Sequence, residues 1–515
     1  MAASESTSDG VDQESVFAFL SDAQTHRGSS VQRIDTHAAS VFLAGSRALK
    51  VKRAVKFPFL DYSTLEKRKE ACDQEIAINR LFAPQIYRGV VAITKKPDGG
   101  LEIAGQGPVA EWAVDMVRFD ESKTLDRLAS AGSVNRKLAE DTADSIVRAH
   151  EKAAAHKHSS WVQSIPSLIA ANSEAFSGHY DSQSIDELDR ESLAVFERVH
   201  DLLRQRESKG LVRRCHGDLH LANIALIEGK PALFDAIEFD PAIATTDVLY
   251  DLAFPVMDLL HYEQSDAANT LLNCYLQSTP SDNLDGLSAL PLFMSIRAAV
   301  RSHVLLARQD RDPATREAAT RSALAYFSLA RGLIKPAPPK LIAVGGLSGT
   351  GKSTLARNLA PFVEPLPGAI VLRSDVIRKR HFGAADIDKL PGEAYRPEIA
   401  QLIYKQLVER AKRILSQGYS VIIDAVFSRE NERSDSAALA AKCNVPFCGL
   451  FLTADVATRM KRVDIRPPDA SDATSEVVLK QESYDLGHID WHLVDASATP
   501  EKTLARARAV LDDSV

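Results

Sequence analysis

Apolar and polar positions change rhythm several times along this chain, and the changes divide it before any motif is considered. A helical spacing begins at Val16 and continues to Leu20. After Thr36-His37-Ala38-Ala39-Ser40 the period shortens to two. Val41-Phe42-Leu43 and Ala48-Leu49-Lys50-Val51-Lys52 flank a turn at Gly45-Ser46, which predicts a hairpin. Alternation places Lys50 and Lys52 on one face of it and Leu49 and Val51 on the other. Residues 62–81 are charged and amphipathic with a helical period, and they carry Glu75. Polar, helix-rich patterns follow at 125–158 and 184–205. A tighter pattern at 211–226 turns at Glu228-Gly229-Lys230 into Ala232-Leu233-Phe234-Asp235, and helical periodicity then continues to about Ile334.

Lys335-Pro336-Ala337-Pro338-Pro339-Lys340 places three prolines in six residues, which excludes a helix and predicts a stiff spacer. Beyond it short apolar runs at 341–344, 369–372 and 420–424 alternate with helical stretches, the pattern of a parallel α/β sheet. Within 395–418, Ile399, Leu402, Ile403 and Ile414 recur at helical spacing and are expected in the core. No internal repeat is visible. The expected organisation is a disordered tail at 1–14, a first domain at 15–334, the linker at 335–340 and a second domain at 341–515.

Composition changes this picture little. At 515 residues with 45% apolar and 25% charged content, the chain reads as an ordinary globular protein of several domains. Five scattered cysteines suggest neither disulfides nor a zinc cluster. No run of 18 apolar residues and no signal-peptide pattern is present, so a cytoplasmic protein without a membrane partner is expected. A net charge of −7 argues against nucleic acid as a partner, though not against a local basic cleft.

Two constellations carry chemistry. Gly346-Leu347-Ser348-Gly349-Thr350-Gly351-Lys352-Ser353-Thr354 fits the phosphate-loop pattern, between an apolar run and a helical one. Curled glycine backbone turns its N–H groups onto phosphate oxygens, Lys352 reaches the β- and γ-phosphates, and the Ser353 hydroxyl ligates Mg²⁺. Downstream, Asp375 follows a strand and is placed to act as base toward an acceptor hydroxyl. Arg378, one turn later, can clamp the acceptor or the transferring group. Asp424 ends the next strand as a candidate for Mg²⁺-bound water, and Arg462 or Arg466 in a basic segment can close over the phosphoryl group. That segment, ending at Arg466, precedes Asp469-Ala470-Ser471-Asp472-Ala473.

In the first half, His216-Gly217-Asp218 with Asn223 and then Asp235 repeats the spacing of a kinase catalytic loop. Asp218 would accept the proton of the attacking hydroxyl, and Asn223 and Asp235 would supply oxygen ligands to Mg²⁺. Lys50 or Lys52 would hold the α/β-phosphates, fixed by Glu75. Asp247 and Asp251 read as helix-capping or loop-bracing acids.

The loop at His216, Gly217, Asp218, His220 and Asn223 resembles that of the aminoglycoside phosphotransferase and choline kinase-like family. The resemblance implies an α+β, bilobal, protein-kinase-like domain, with a β-rich lobe up to about Val117 and a helical lobe after it. No G-x-G-x-x-G stands at the first hairpin. The second half resembles small P-loop kinases grouped with gluconate kinase, polynucleotide 5′-kinase and zeta toxin, through Asp375-x-x-Arg378 and the Asp469–Ala473 segment. The whole is similar to fused bacterial proteins that join the two. This implies two ATP- and Mg²⁺-dependent transfers to hydroxyls of small molecules: sugars, amino sugars, nucleosides or amino alcohols. The alternatives are a nucleic-acid 5′-end kinase in the second half, or a nucleotide-sensing regulator in the first.

Overall fold

A computed structural model describes residues 12–57, 60–307, 312–466 and 469–512. The expected tail at 1–14 lies outside the described residues as far as residue 11, and the first helix, Gln13–Ser21, begins at once behind its cap Asp12. Packing divides the chain into two compact units. One runs to Val134 and takes in Asp144–Ser164 and Gln205–Asp258; the other comprises Asn135–Ala143, Ile165–Arg204 and Leu259–Val515.

The first unit is built on a six-stranded antiparallel sheet in the order Val31–Asp35, Ala39–Ala44, Arg47–Lys52, Val109–Val117, Tyr87–Lys95, Leu101–Ile103. The expected hairpin is its second and third strands, turned at Gly45, whose φ of +55° is a left-handed conformation. One face buries Phe42, Leu49 and Val51 against Val16, Phe17 and Leu20 of the first helix. The helix Leu65–Phe82 starts at Thr64, whose hydroxyl accepts the Lys67 N–H at 3.3 Å. It buries Cys72, Glu75, Ile76 and Asn79. Further on, Ile224–Ile227 and Lys230–Leu233 form a hairpin. Its two turn residues, Glu228 and Gly229, both have positive φ, which matches the strand twist.

The second unit contains a five-stranded sheet, parallel throughout, in the order Ile370–Arg373, Val421–Asp424, Leu341–Gly346, Phe447–Thr453, His492–Asp495. Ile342, Val344, Ile422 and Leu450 are fully buried in its core. The strand Ile370–Arg373 is an edge of the sheet, and helix Ser265–Ser278 covers it. Asn273 accepts the Val371 N–H at 2.8 Å, and Asn269 and Asn273 both donate to the Ala369 carbonyl, at 3.0 and 3.1 Å. The proline-rich stretch therefore lies inside this unit, with packed partners on both sides of it.

One stretch among the described residues, Leu287–Leu306, is long and apolar enough to cross a membrane, and 72% of its apolar 18-residue window is buried inside the protein. In helix Pro397–Ser416, Ile403 and Ile414 are core residues as expected. Leu402 is not, at 37% exposed, and Ile399 is only half-buried. Ile403 and Ile414 mark the buried stripe, and Leu402 lies beside it, where helical spacing alone does not separate flank from centre. The architecture is thus an α+β unit around an antiparallel sheet, followed by a parallel α/β sheet, the fold classes expected for the two halves.

Candidate active sites

In the first unit, residues far apart in sequence meet around Glu75. Lys50 Nζ lies 3.0 Å from Glu75 Oε1 and 2.7 Å from Asp235 Oδ1, a partner 185 positions away. Lys52 Nζ lies 2.5 Å from Glu75 Oε2 and 2.5 Å from Glu238 Oε1. The shared face of the two lysines therefore resolves into one carboxylate oxygen for each. Burial opposes the charge on Lys50, but Asp235, Glu75 and Glu238 outweigh it and hold its pKa well above the ordinary lysine value. Lys52 is raised in the same way, against burial, by Glu75 and Glu238. Burial works against ionised Glu75 as well, yet Lys50 and Lys52 pull its pKa below the usual range. Asp235 is lowered against burial chiefly by Lys50.

The loop after strand Val212–Arg214 is braced from below. Buried Asp251 accepts the N–H of Gly217 at 2.9 Å and that of His216 at 3.4 Å, and Asp258 accepts the N–H of Leu221 at 3.0 Å. Asp247 takes both Nε and Nη2 of Arg206, at 2.7 and 2.8 Å. These are bracing acids. Gly217 has φ +84°, and a Cβ there would meet Ala244 Cβ at 2.7 Å. At the tip, Asn223 Nδ2 donates to the Asp218 carbonyl at 2.9 Å and to its Oδ2 at 3.3 Å. His220 Nε2 is 3.4 Å from the same Oδ2. Asp235 sits at φ +61°, a strained conformation for a residue with a Cβ, and its N–H donates to Tyr87 Oη at 3.0 Å.

In the second unit the phosphate loop joins strand Leu341–Gly346 to helix Lys352–Leu359. Gly346 and Gly349 have φ +134° and +83°; a Cβ would strike the Leu452 carbonyl at 2.6 Å and the Arg459 carbonyl at 2.5 Å, so backbone is packed where side chains would be. Lys352 Nζ donates to the Leu347 carbonyl at 3.0 Å, and Ser353 Oγ to Asp424 Oδ2 at 2.5 Å. Burial lowers the Lys352 pKa, with Asp424 and Asp375 opposing and Arg459 and Arg466 adding to the effect.

A cavity of about 790 Å³ opens here, lined by Ser348, Gly349, Thr350, Gly351, Lys352, Ser353 and Thr354. Asp375, Arg378, Asp424, Arg462 and Arg466 face it as well. Asp375 lies in the first turn of helix Ser374–His381 and takes Arg378 Nη1 at 2.9 Å; Arg378 lies 4.9 Å from the Tyr395 ring centroid. Arg462 donates to the Ala498 carbonyl at 2.8 Å and Arg466 to that of Ser471 at 2.8 Å.

Four further participants join these residues, of which only Arg459, in the basic segment, stood in a stretch with an expected role. Glu238 stands three positions after Asp235 and becomes a partner only through the fold. Arg373, at a strand end, donates to Asp424, Ser353 and Asp469. Gln481 accepts the Ser348 N–H at 2.7 Å, and Arg459 donates to the Ser348 carbonyl at 2.9 Å. Ser353 and Asp424 offer hard oxygen donors beside a phosphate loop, as do Asn223 and Asp235 beside Lys50, and both sets suit Mg²⁺ in ligand type.

Residues 341–484 match the family model described as AAA domain, in agreement with the expected phosphate loop. An uncharacterized protein of Mycobacterium tuberculosis is 29% identical over 488 residues, which span 92% of this chain and 94% of that protein. Among solved structures, a choline kinase from Cryptosporidium parvum Iowa II aligns with 63% of this chain and 96% of its own, at 13% identity and a TM-score of 0.40. A gluconokinase from Sinorhizobium meliloti 1021 aligns with 34% of this chain and 93% of its own, at 20% identity and a TM-score of 0.25. Both are kinases of the kinds the two motifs resemble. The fold classes themselves rest on the strand orders of the two sheets.

Proposed function

We propose that the chain is a bifunctional, cytoplasmic phosphotransferase, with each of its two sites moving the γ-phosphate of ATP to a hydroxyl of a small molecule. The observation that carries this reading is the convergence of Lys352, Ser353, Asp424, Asp375 and Arg378 on one cavity, from a loop and two strand ends. Lys352 binds phosphate, Ser353 and Asp424 hold Mg²⁺, and Asp375 takes the proton from the acceptor hydroxyl while Arg378 fixes that carboxylate. Arg462 and Arg466 balance charge on the transferring group. In the first unit Lys50 holds phosphate, Glu75 fixes Lys50, Asn223 and Asp235 hold the ion, and Asp218 accepts the proton. Lys52, bound between Glu75 and Glu238, keeps Glu75 in place. Mg²⁺ supplies charge neutralisation at the phosphates; the side chains supply position.

An acceptor screen with the full chain, Asp218→Ala and Lys352→Ala tests the reading. Loss of a different product in each variant supports two transferases. If Asp218→Ala changes only the rate of the Lys352-dependent reaction, the first unit is a nucleotide-sensing regulator, a reading favoured by the absence of glycine from the turn Thr36-His37-Ala38 that joins its first two strands. A 5′-hydroxyl oligonucleotide in the screen tests the nucleic-acid alternative.

A further inference from the structure

We infer that Arg373 is a positioning residue for the ion-binding pair Ser353–Asp424, and that Asp469 acts by holding Arg373 in place; this rests on the phosphoryl-transfer reading of the second unit. Arg373 and Asp424 are register partners on adjacent parallel strands, so both side chains leave the sheet at its carboxyl end. An arginine at a strand end is ordinarily solvated, but Arg373 is only 8% exposed. Its guanidinium reaches four oxygens. Two belong to Asp469, at 3.0 and 2.9 Å; the others are Asp424 Oδ2 and Ser353 Oγ, each at 3.3 Å.

Ser353 Oγ itself donates to that same Asp424 oxygen at 2.5 Å. The planar fork thus spans the hydroxyl and the carboxylate proposed to bring the ion, while its far side is fixed by a bidentate pair. Burying a guanidinium is costly unless carboxylates compensate it, and Asp424 and Asp469 together do so. Lysine could supply the charge without the fork. Asp469 belongs to the segment after Arg466, so that segment is tied to the ion-binding pair through one side chain.

Removing the fork frees Asp424 to rotate away from Ser353, and the loop amides and Lys352 are left untouched. Nucleotide binding without metal should therefore persist while the demand for Mg²⁺ rises. The test is calorimetric titration of the full chain with a non-hydrolysable ATP analogue, in EDTA and across a Mg²⁺ series. It compares wild type, Arg373→Gln, Arg373→Lys and Asp469→Asn, with thermal melting of each. Lys352→Ala identifies which binding event belongs to the second unit; if it removes none, the phosphoryl-transfer reading fails rather than this inference.

For Arg373→Gln we expect the Mg²⁺ needed for half-saturation to rise about 10- to 100-fold, the range for losing an outer-shell partner of a metal ligand. Arg373→Lys and the nearly isosteric Asp469→Asn should shift it the same way by less, with affinity in EDTA unchanged. Equal loss of affinity with and without Mg²⁺ would make Arg373 a nucleotide contact or a purely structural residue. An unchanged or lowered Mg²⁺ requirement would make it a bystander or a competitor of the ion. Either result overturns the inference.

Discussion

Single side chains in the first site are held by charge, and their partners decide what each substitution does. Glu238 is 8% exposed and bonded to Lys52, itself 3% exposed. Glu238→Ala leaves a buried ammonium with half its compensation, and breaking such a pair costs about 3–5 kcal/mol. A urea titration of the variant checks this; a loss under about 1 kcal/mol would mean that water or Glu75 replaces the lost oxygen. At the loop, Gly217→Ala forces a Cβ to within 2.7 Å of Ala244 in a left-handed conformation. A destabilisation of about 1–3 kcal/mol is expected, together with loss of the Asp218-dependent product. Loop spacing singled out Asp218, Asn223 and Asp235, and a helical period carried Glu75, but strand alternation put Lys50 and Lys52 on one face and left the choice between them to the fold. Glu238 and Arg373 were not legible in the sequence: an acid three positions after Asp235, or a basic residue at a strand end, looks like any solvated charge until neighbouring segments are in place.

Elements in the second unit are joined by polar contacts that hydrophobic pattern does not report. Asn269 and Asn273, one helical turn apart, satisfy backbone groups on the sheet edge. Their signal was two amides at a four-residue spacing on one helix face, visible only once the edge strand is known to lie there. Replacing Asn273 by Leu leaves the Val371 N–H unpaired and should cost about 1–3 kcal/mol, measured by urea unfolding.

Helices Ser182–Ser208 and Pro313–Leu333 are linked by Glu187 and Arg331 at 2.9 Å, with Lys335 on the other oxygen of Glu187. Lys335 and Arg331 hold Glu187 down at about 2. A carboxylate depressed in the folded state contributes stability that is complete above its unfolded pKa of about 4.3 and lost as pH falls through the folded value. The melting-temperature gap between wild type and Glu187→Gln should accordingly hold near neutrality and narrow from about pH 4 downward. High salt should shrink it at any pH, since the pair is partly exposed. A gap independent of pH would assign it to packing.

At the scale of the whole chain, sequence punctuation and packing divide the molecule differently. Three prolines at 336–339 suggest a hinge, and strand–helix alternation after them reads as a self-contained sheet. The second unit nevertheless recruits helices from before the prolines, because an exposed edge strand is left with unpaired backbone groups that water or another chain must satisfy. Arg413 adds a bidentate contact to Asp285, at 3.0 and 2.8 Å, across the same stretch. A fragment of residues 335–515 keeps every phosphate-loop residue but loses Asn269, Asn273 and Asp285. With two amide contacts gone from the edge, it should be less stable than the same residues in the full chain by about 2–6 kcal/mol. It should also self-associate through the bared strand Ile370–Arg373. Urea midpoints and light scattering of the fragment and the full chain measure both effects. A monomeric fragment with an undiminished midpoint would show that the sheet stands alone, and that the preceding helices rest on it without supporting it.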